Sequence, residues 1–175
     1  MKLVLLGGNS VKNKEWLENV RDKLKDLFEE CAVQYYNHWK SGGDVDWKEE
    51  VERLGENSNK NCVIFAKSAG IGVSLKAIYE GKVKPIKCIF VGTPLDWAEK
   101  HGNELSPYFI NYKTSTLFIQ QTNDPYASSA ELKKFLEKNK LKNYELKEIK
   151  GKDHNYNNLD EIRKLVEIFL SASNK

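Results

Sequence analysis

Apolar residues in this chain fall into two patterns, short unbroken runs and a helical spacing of about three to four residues, and the two alternate from end to end. Lys2–Leu6 predicts a first strand. Between Lys14 and Phe28, the residues Trp16, Leu17, Val20, Leu24, Leu27 and Phe28 share one helical face. Ala32–His38 predicts a second strand, followed by Ser-Gly-Gly and a helix from about Val45 to Leu54. Val63–Ala66 predicts a third strand, and Ala69–Tyr79 can wind as a buried helix. Ile86–Val91 and Thr116–Gln120 predict the fourth and fifth strands. Ser128-x-x-Glu131 is a capping-box pattern opening a helix to about Lys138. Tyr144–Ile149 predicts a sixth strand. Asn158, with Glu161 three residues on, is placed to cap a last helix. Its apolar face is Leu159, Ile162, Leu165, Val166, Phe169 and Leu170.

Such alternation predicts an α/β fold, a three-layer sandwich in which helices cover both faces of a predominantly parallel, six-stranded sheet. Right-handed crossovers restrict its topology. Chemistry in such sheets belongs at the carboxyl ends of strands. No internal repeat, low-complexity tract or linker interrupts the pattern, so residues 1–175 read as a single domain. One connection is long, from Gly92 to about Ser115, and carries Trp97, Tyr108, Phe109 and Tyr112. Connections of that length are often lids or binding loops. These aromatics either cover an apolar site, with Trp97 and Tyr108 as substrate contacts, or simply cover the sheet edge.

Composition narrows the function classes. Apolar residues make up 40% of the 175 and charged residues 30%, which fits a soluble globular chain rather than a disordered one. The net charge of +3 is spread over mixed-sign helices, with no dense basic stripe for nucleic acid. Apolar runs are far too short for a membrane span. The amino terminus reads as a strand rather than a signal peptide. Three cysteines without a C-x-x-C pair argue against a zinc site or redox motif and for reduced thiols in a cytoplasmic protein. No cofactor or metal is called for.

The chemistry-bearing segment is Asn61-Cys-Val-Ile-Phe-Ala-Lys-Ser-Ala-Gly-Ile-Gly-Val-Ser-Leu75. It sets Ser68 in a small-residue turn between a strand and a helix, with Ala66 two residues before and Gly70 two after. A serine there can be an ordinary helix cap or an exposed nucleophile. A nucleophilic serine needs a base, and the base an orienting acid. Asp124 follows the fifth strand and His154 the sixth, so the three candidates occur in order beyond three different strands. Asp153 is a rival acid; His38 and His101 are rival bases. Lys67 precedes the serine, its charge either beside the site or pointing to solvent.

Ala66-Lys-Ser-Ala-Gly70 resembles the nucleophile elbow G-x-S-x-G of the α/β-hydrolases, with Ala in place of the first Gly. The resemblance covers nearly the whole chain. It looks like a short, minimal member beginning at the strand that carries the oxyanion loop. It implies the strand order 2-1-3-4-5-6 and a triad of Ser68, Asp124 and His154. The oxyanion donors it implies are the amides of Ala69 and, from the loop Leu6-Gly7-Gly8-Asn9-Ser10, of Asn9. A Rossmann-like phosphate turn is the weaker alternative for that loop, since G-x-G-x-x-G is absent and no acidic residue ends the second strand. The implied activity is hydrolysis of a small ester or thioester, carboxylesterase-like, through an acyl-enzyme, with a small-molecule acyl substrate as partner. The alternative is a non-catalytic binding protein on the same fold.

Overall fold

Six strands form one sheet: β1 (Lys2–Leu6), β2 (Glu30–Val33), β3 (Cys62–Lys67), β4 (Lys87–Val91), β5 (Ser115–Gln121) and β6 (Tyr144–Ile149). The computed structural model describes residues 1–58 and 61–172. The order across the sheet is β2-β1-β3-β4-β5-β6, and every neighbouring pair is parallel. The expected order is therefore the observed one. β3 and β4 are buried at every position, as central strands covered on both faces must be. The edge strands β2 and β6 carry Glu30, Glu145, Lys147 and Glu148, charges that discourage pairing with another chain.

The helices are α1 (Asn13–Leu24), α2 (His38–Ser41), α3 (Trp47–Asn57), α4 (Ala69–Tyr79), α5 (Leu95–Lys100), α6 (Ser129–Lys138) and α7 (Leu159–Ser171). Successive strand side chains point to opposite faces. Leu3, Leu5, Val63, Phe65, Ile89 and Leu117 therefore join Leu17 and Val20 of α1 and Ile162 and Val166 of α7. Val4, Leu6, Ile64, Phe90 and Phe118 join Val51 of α3, Val73 of α4 and Leu132 of α6. Burying each large side chain stabilises the fold by about 1.5–3 kcal/mol relative to leaving it exposed. Among the described residues, no helix is long and apolar enough to cross a membrane.

Element ends depart from expectation where side chains compete with the ladder. The first helix tightens into a 3-10 turn at Lys25–Leu27, and Phe28 is already extended. β2 stops at Val33, well before His38. Gln34 still donates its amide to the Leu5 carbonyl, but its side chain turns to Glu50. Tyr36 folds inward and donates its hydroxyl to the Gly7 carbonyl at 3.0 Å. Both expected caps form: Ser128 and Glu131 make a capping box on α6, and Asn158 accepts the Glu161 amide at the start of α7.

Candidate active site

Sheets of this order have a topological switch beside β1, and ligands bind outside the strand ends at such a point. Ser68 sits there, in the single-residue turn between β3 and α4. Its backbone has φ 53° and ψ −124°, a conformation that costs a non-glycine residue of order 1–3 kcal/mol. Its amide still donates to the Val91 carbonyl at 3.1 Å, so the turn is pinned to the end of β4. Small neighbours are required. A Cβ on Gly70 would lie 2.7 Å from the Gly7 carbonyl oxygen and 2.9 Å from Leu6 Cβ. One on Gly8 would come within 3.1 Å of Ser68 Cβ. Gly72 receives Trp47 of α3 where any side chain would stand, which lets α4 lie close.

The loop after β1 is held by its carbonyl and side-chain groups rather than its amide. The Asn9 carbonyl accepts from Trp39 Nε1 at 3.1 Å and meets His38 Nε2 at 2.7 Å. Asn9 Nδ2 donates to Asp44 at 2.6 Å, and its Oδ1 accepts the Val45 amide at 2.8 Å. Neither the Asn9 amide nor the Ala69 amide donates to another group among the described residues. The rival base His38 is thus a clamp on this loop.

His154 and Asp124 meet directly, with Nδ1 to Oδ2 at 2.6 Å. Asp124 Oδ2 also accepts the Tyr156 hydroxyl at 2.6 Å, and Oδ1 accepts the Tyr126 amide at 2.9 Å. Burial pushes the Asp124 carboxyl up, but the hydrogen bond and charge of His154, with the Tyr156 and Tyr126 donors, outweigh it and hold the pKa below its ordinary value. Burial, then the Asp124 charge, raises the Tyr156 phenol well above its ordinary value and keeps it a donor. His154 and Tyr156 both adopt left-handed backbone, at φ 60° and 58°. With Ser68 they make three of the five such non-glycine residues among those described, so backbone strain is concentrated here. Gly92 makes room for this loop: a Cβ there would lie 2.7 Å from Tyr156 Cε2 and 3.0 Å from His154 Cε1. Tyr126 closes the other side, edge-on to the imidazole with ring centres 4.7 Å apart.

Ser68 and His154 therefore flank one strand end, the first bonded to Val91 and the second over Gly92. The expected hydrogen bond between them is not formed. His154 Nε2 is buried and has no partner among the described residues.

No family model and no curated protein matches this sequence. Solved structures do match its fold. An esterase of Pyrococcus furiosus, Pf2001, superposes with a TM-score of 0.73 at 18% identity, covering 97% of this chain and 79% of that one. The ydeN gene product of B. subtilis gives 0.70 at 11% identity over 98% and 99% of the two chains. The mouse α/β hydrolase domain-containing protein 10 gives 0.74 at 11% identity over 97% and 89%. The chain has the α/β-hydrolase fold.

One neighbour of this cluster is a lysine. Lys67 is only 7% exposed. Its ammonium donates to Asn13 Oδ1 at 3.1 Å and lies 4.8 Å from the centre of the Trp16 ring. Burial pushes its pKa down to about 8, against the opposing charges of Asp124 and Asp153. It shares a cleft of about 490 Å³ with Ser10, Asn13, Trp16, Tyr126 and His154.

The aromatic lid is corrected. Tyr108 lies against Tyr79, ring centres 5.7 Å apart, at the far end of α4 from Ser68. Tyr112 donates to or accepts from Thr116 Oγ1 at the start of β5. A connection from the end of one parallel strand to the start of the next must cross the molecule, so its later residues sit at the opposite end of the sheet. Trp97, in α5, stays nearer the carboxyl ends, but it packs on the α4-side core and stacks on His101 at 4.2 Å. The rival acid Asp153 accepts from Gln121 Nε2 and the Asn155 amide instead of the imidazole. Sequence reasoning did not single out Tyr156, Tyr126 or Gly92. For Tyr156 the available signal was an aromatic residue isolated among asparagines, two positions after the histidine.

Proposed function

We propose that this protein is a serine hydrolase that cleaves a small ester or thioester through an acyl-enzyme. The observation carrying this reading is an imidazole anchored on Asp124 through Nδ1, with Nε2 unpartnered and the ring over Gly92, next to the Val91 carbonyl that pins the strained Ser68 turn. Ser68 Oγ attacks the acyl carbon and passes its proton to His154 Nε2. The amides of Asn9 and Ala69 receive the oxyanion. His154 then delivers the proton to the leaving oxygen or sulfur, and the acyl–Oγ bond remains. Water, deprotonated by the same nitrogen, attacks the acyl carbon, the acyl–Oγ bond breaks, and the proton on Nε2 passes to Ser68 Oγ as the acid leaves. Asp124 stays ionised throughout and stabilises the imidazolium. The esterase and hydrolase names of structural neighbours agree with this reading.

The test is labelling with a fluorophosphonate probe, alongside turnover of a panel of p-nitrophenyl esters and acyl thioesters. The wild type should label at Ser68 and turn over a short-chain substrate. Ser68→Ala should not label, and should lose about 10³-fold or more in kcat. Undiminished turnover in Ser68→Ala sinks the proposed nucleophile. An unlabelled, inactive wild type favours a non-catalytic binding protein.

A further inference from the structure

We infer that Lys67 makes this site selective for substrates whose leaving group carries a carboxylate. The inference rests on the serine-hydrolase reading only for which side of the scissile bond the lysine recognises.

A buried ammonium has three donors and is costly unless paired. Lys67 has one hydrogen-bond acceptor, the neutral amide oxygen of Asn13, and no carboxylate within ion-pair distance among the described residues. Of the nearby acids, Glu15 and Asp153 line the same cleft, while Asp124 and Asp153 are committed to other partners. Asp124 is bonded to His154, Tyr156 and the Tyr126 amide. Asp153 is bonded to Gln121 and the Asn155 amide. Asn13 is itself fixed, its Nδ2 donating to the Ser10 carbonyl at 2.9 Å. Trp16 is fixed too, its Nε1 donating to the Tyr156 carbonyl at 3.1 Å. The ammonium is therefore held in a preset position on the wall of a cleft, with donors to spare.

The cleft also fixes which part of a substrate it meets. His154 lines it, whereas Ser68 and the oxyanion candidates Asn9 and Ala69 do not. The group that receives a proton from His154 is the leaving group, so that portion extends into the cleft. A carboxylate there supplies the direct ion-pair partner that Lys67 lacks, and the Trp16 face offers an apolar wall for the body of an aromatic or aliphatic alcohol.

The probe is 4-hydroxybenzoate, a carboxylate-bearing phenol that mimics such a leaving group, compared with its uncharged methyl ester. Each is titrated calorimetrically near neutral pH into wild type, Lys67→Met and Lys67→Gln. Both substitutions keep most of the stem and remove the charge, and circular dichroism checks their folding. Wild type should prefer the anion by about tenfold, and both variants should lose that preference. In parallel, kcat/KM for 4-acetoxybenzoate should exceed that for its methyl ester in wild type alone. Equal binding of the two probes by wild type overturns the inference. So does a preference that survives in either folded variant, or no saturable binding of the anion up to about 10 mM. Binding needs no turnover, so an anion preference in a protein that does not label leaves the lysine site standing and removes the hydrolase reading. Labelling without the preference does the reverse.

Discussion

Two buried lysines stand at opposite ends of neighbouring strands, Lys67 at the end of β3 and Lys87 at the start of β4. They are nearly equally covered, at 7% and 8% exposed, and each lies over an aromatic ring, 4.8 Å from Trp16 and 4.7 Å from Phe169. Their partners differ. Lys87 donates to the Phe169 carbonyl at 2.8 Å and the Ala172 carbonyl at 3.1 Å, at the carboxyl end of α7. There the helix dipole favours a cation, and the lysine satisfies carbonyls the helix cannot. Lys67 has one neutral acceptor and burial that works against its charge. A larger concavity, about 590 Å³, lies beside Lys87. Cavity size therefore does not mark the site. What marks the carboxyl end is unmet polar demand: a buried Nε2 without a partner, a cation with spare donors, and strained backbone at Ser68, His154 and Tyr156.

The largest effect expected from this contrast is on stability. Lys87→Met strips two carbonyls at the end of α7 of their charged donor and should cost about 2 kcal/mol in urea unfolding. Activity per folded molecule should not change, since Lys87 lies at the far end of the sheet from Ser68. An unfolding midpoint equal to that of wild type would show that Lys87 is no more structural than Lys67.

The same contrast explains what the sequence could reveal. Strands legible as apolar runs are those buried on both faces, because nothing polar interrupts Cys62–Ala66 or Cys88–Val91. Ser68, Asp124 and His154 could be picked out as candidates because each follows a strand, in the chain order that the resemblance implies. Lys67 was ambiguous, since a lysine at a strand end looks the same whether its ammonium reaches water or folds under Trp16. Tyr156 was hidden because its role depends on a left-handed backbone that turns the ring inward. Tyr108 misled because aromatic content reports burial, not the end of the sheet at which burial occurs.

A smaller effect probes the unmet demand directly. Tyr156→Phe removes one of two donors on Asp124 Oδ2 and leaves the Gln121 amide, which donates to the phenol at 3.0 Å, without its acceptor. His154 keeps its bond to Asp124 but loses part of the network that orients the pair. A loss of about fivefold in kcat, with KM little changed, is expected. A purely structural tyrosine would instead lower the melting temperature and leave kcat per folded molecule intact.

The smallest effect reverses the usual sign of removing a polar contact. The Lys67 pKa is about 8 in the folded chain against an ordinary value of 10.5. The folded state therefore gives up this proton before the unfolded state does. Its burial penalty is full below about pH 8 and is relieved as pH rises toward about 10.5. A shift of this size corresponds to a few kcal/mol at most, at about 1.4 kcal/mol per unit. Losing the Asn13 bond and the Trp16 contact in Lys67→Met gives back much of it, about 1 kcal/mol for each. The net expectation is a variant more stable than wild type by about 1 kcal/mol or less near pH 7, with the advantage gone by about pH 10. Melting temperatures of the two proteins across that range provide the measurement. A variant clearly less stable than wild type at pH 7 would make Lys67 a stabilising residue like Lys87 and dissolve the contrast between the two ends of the sheet.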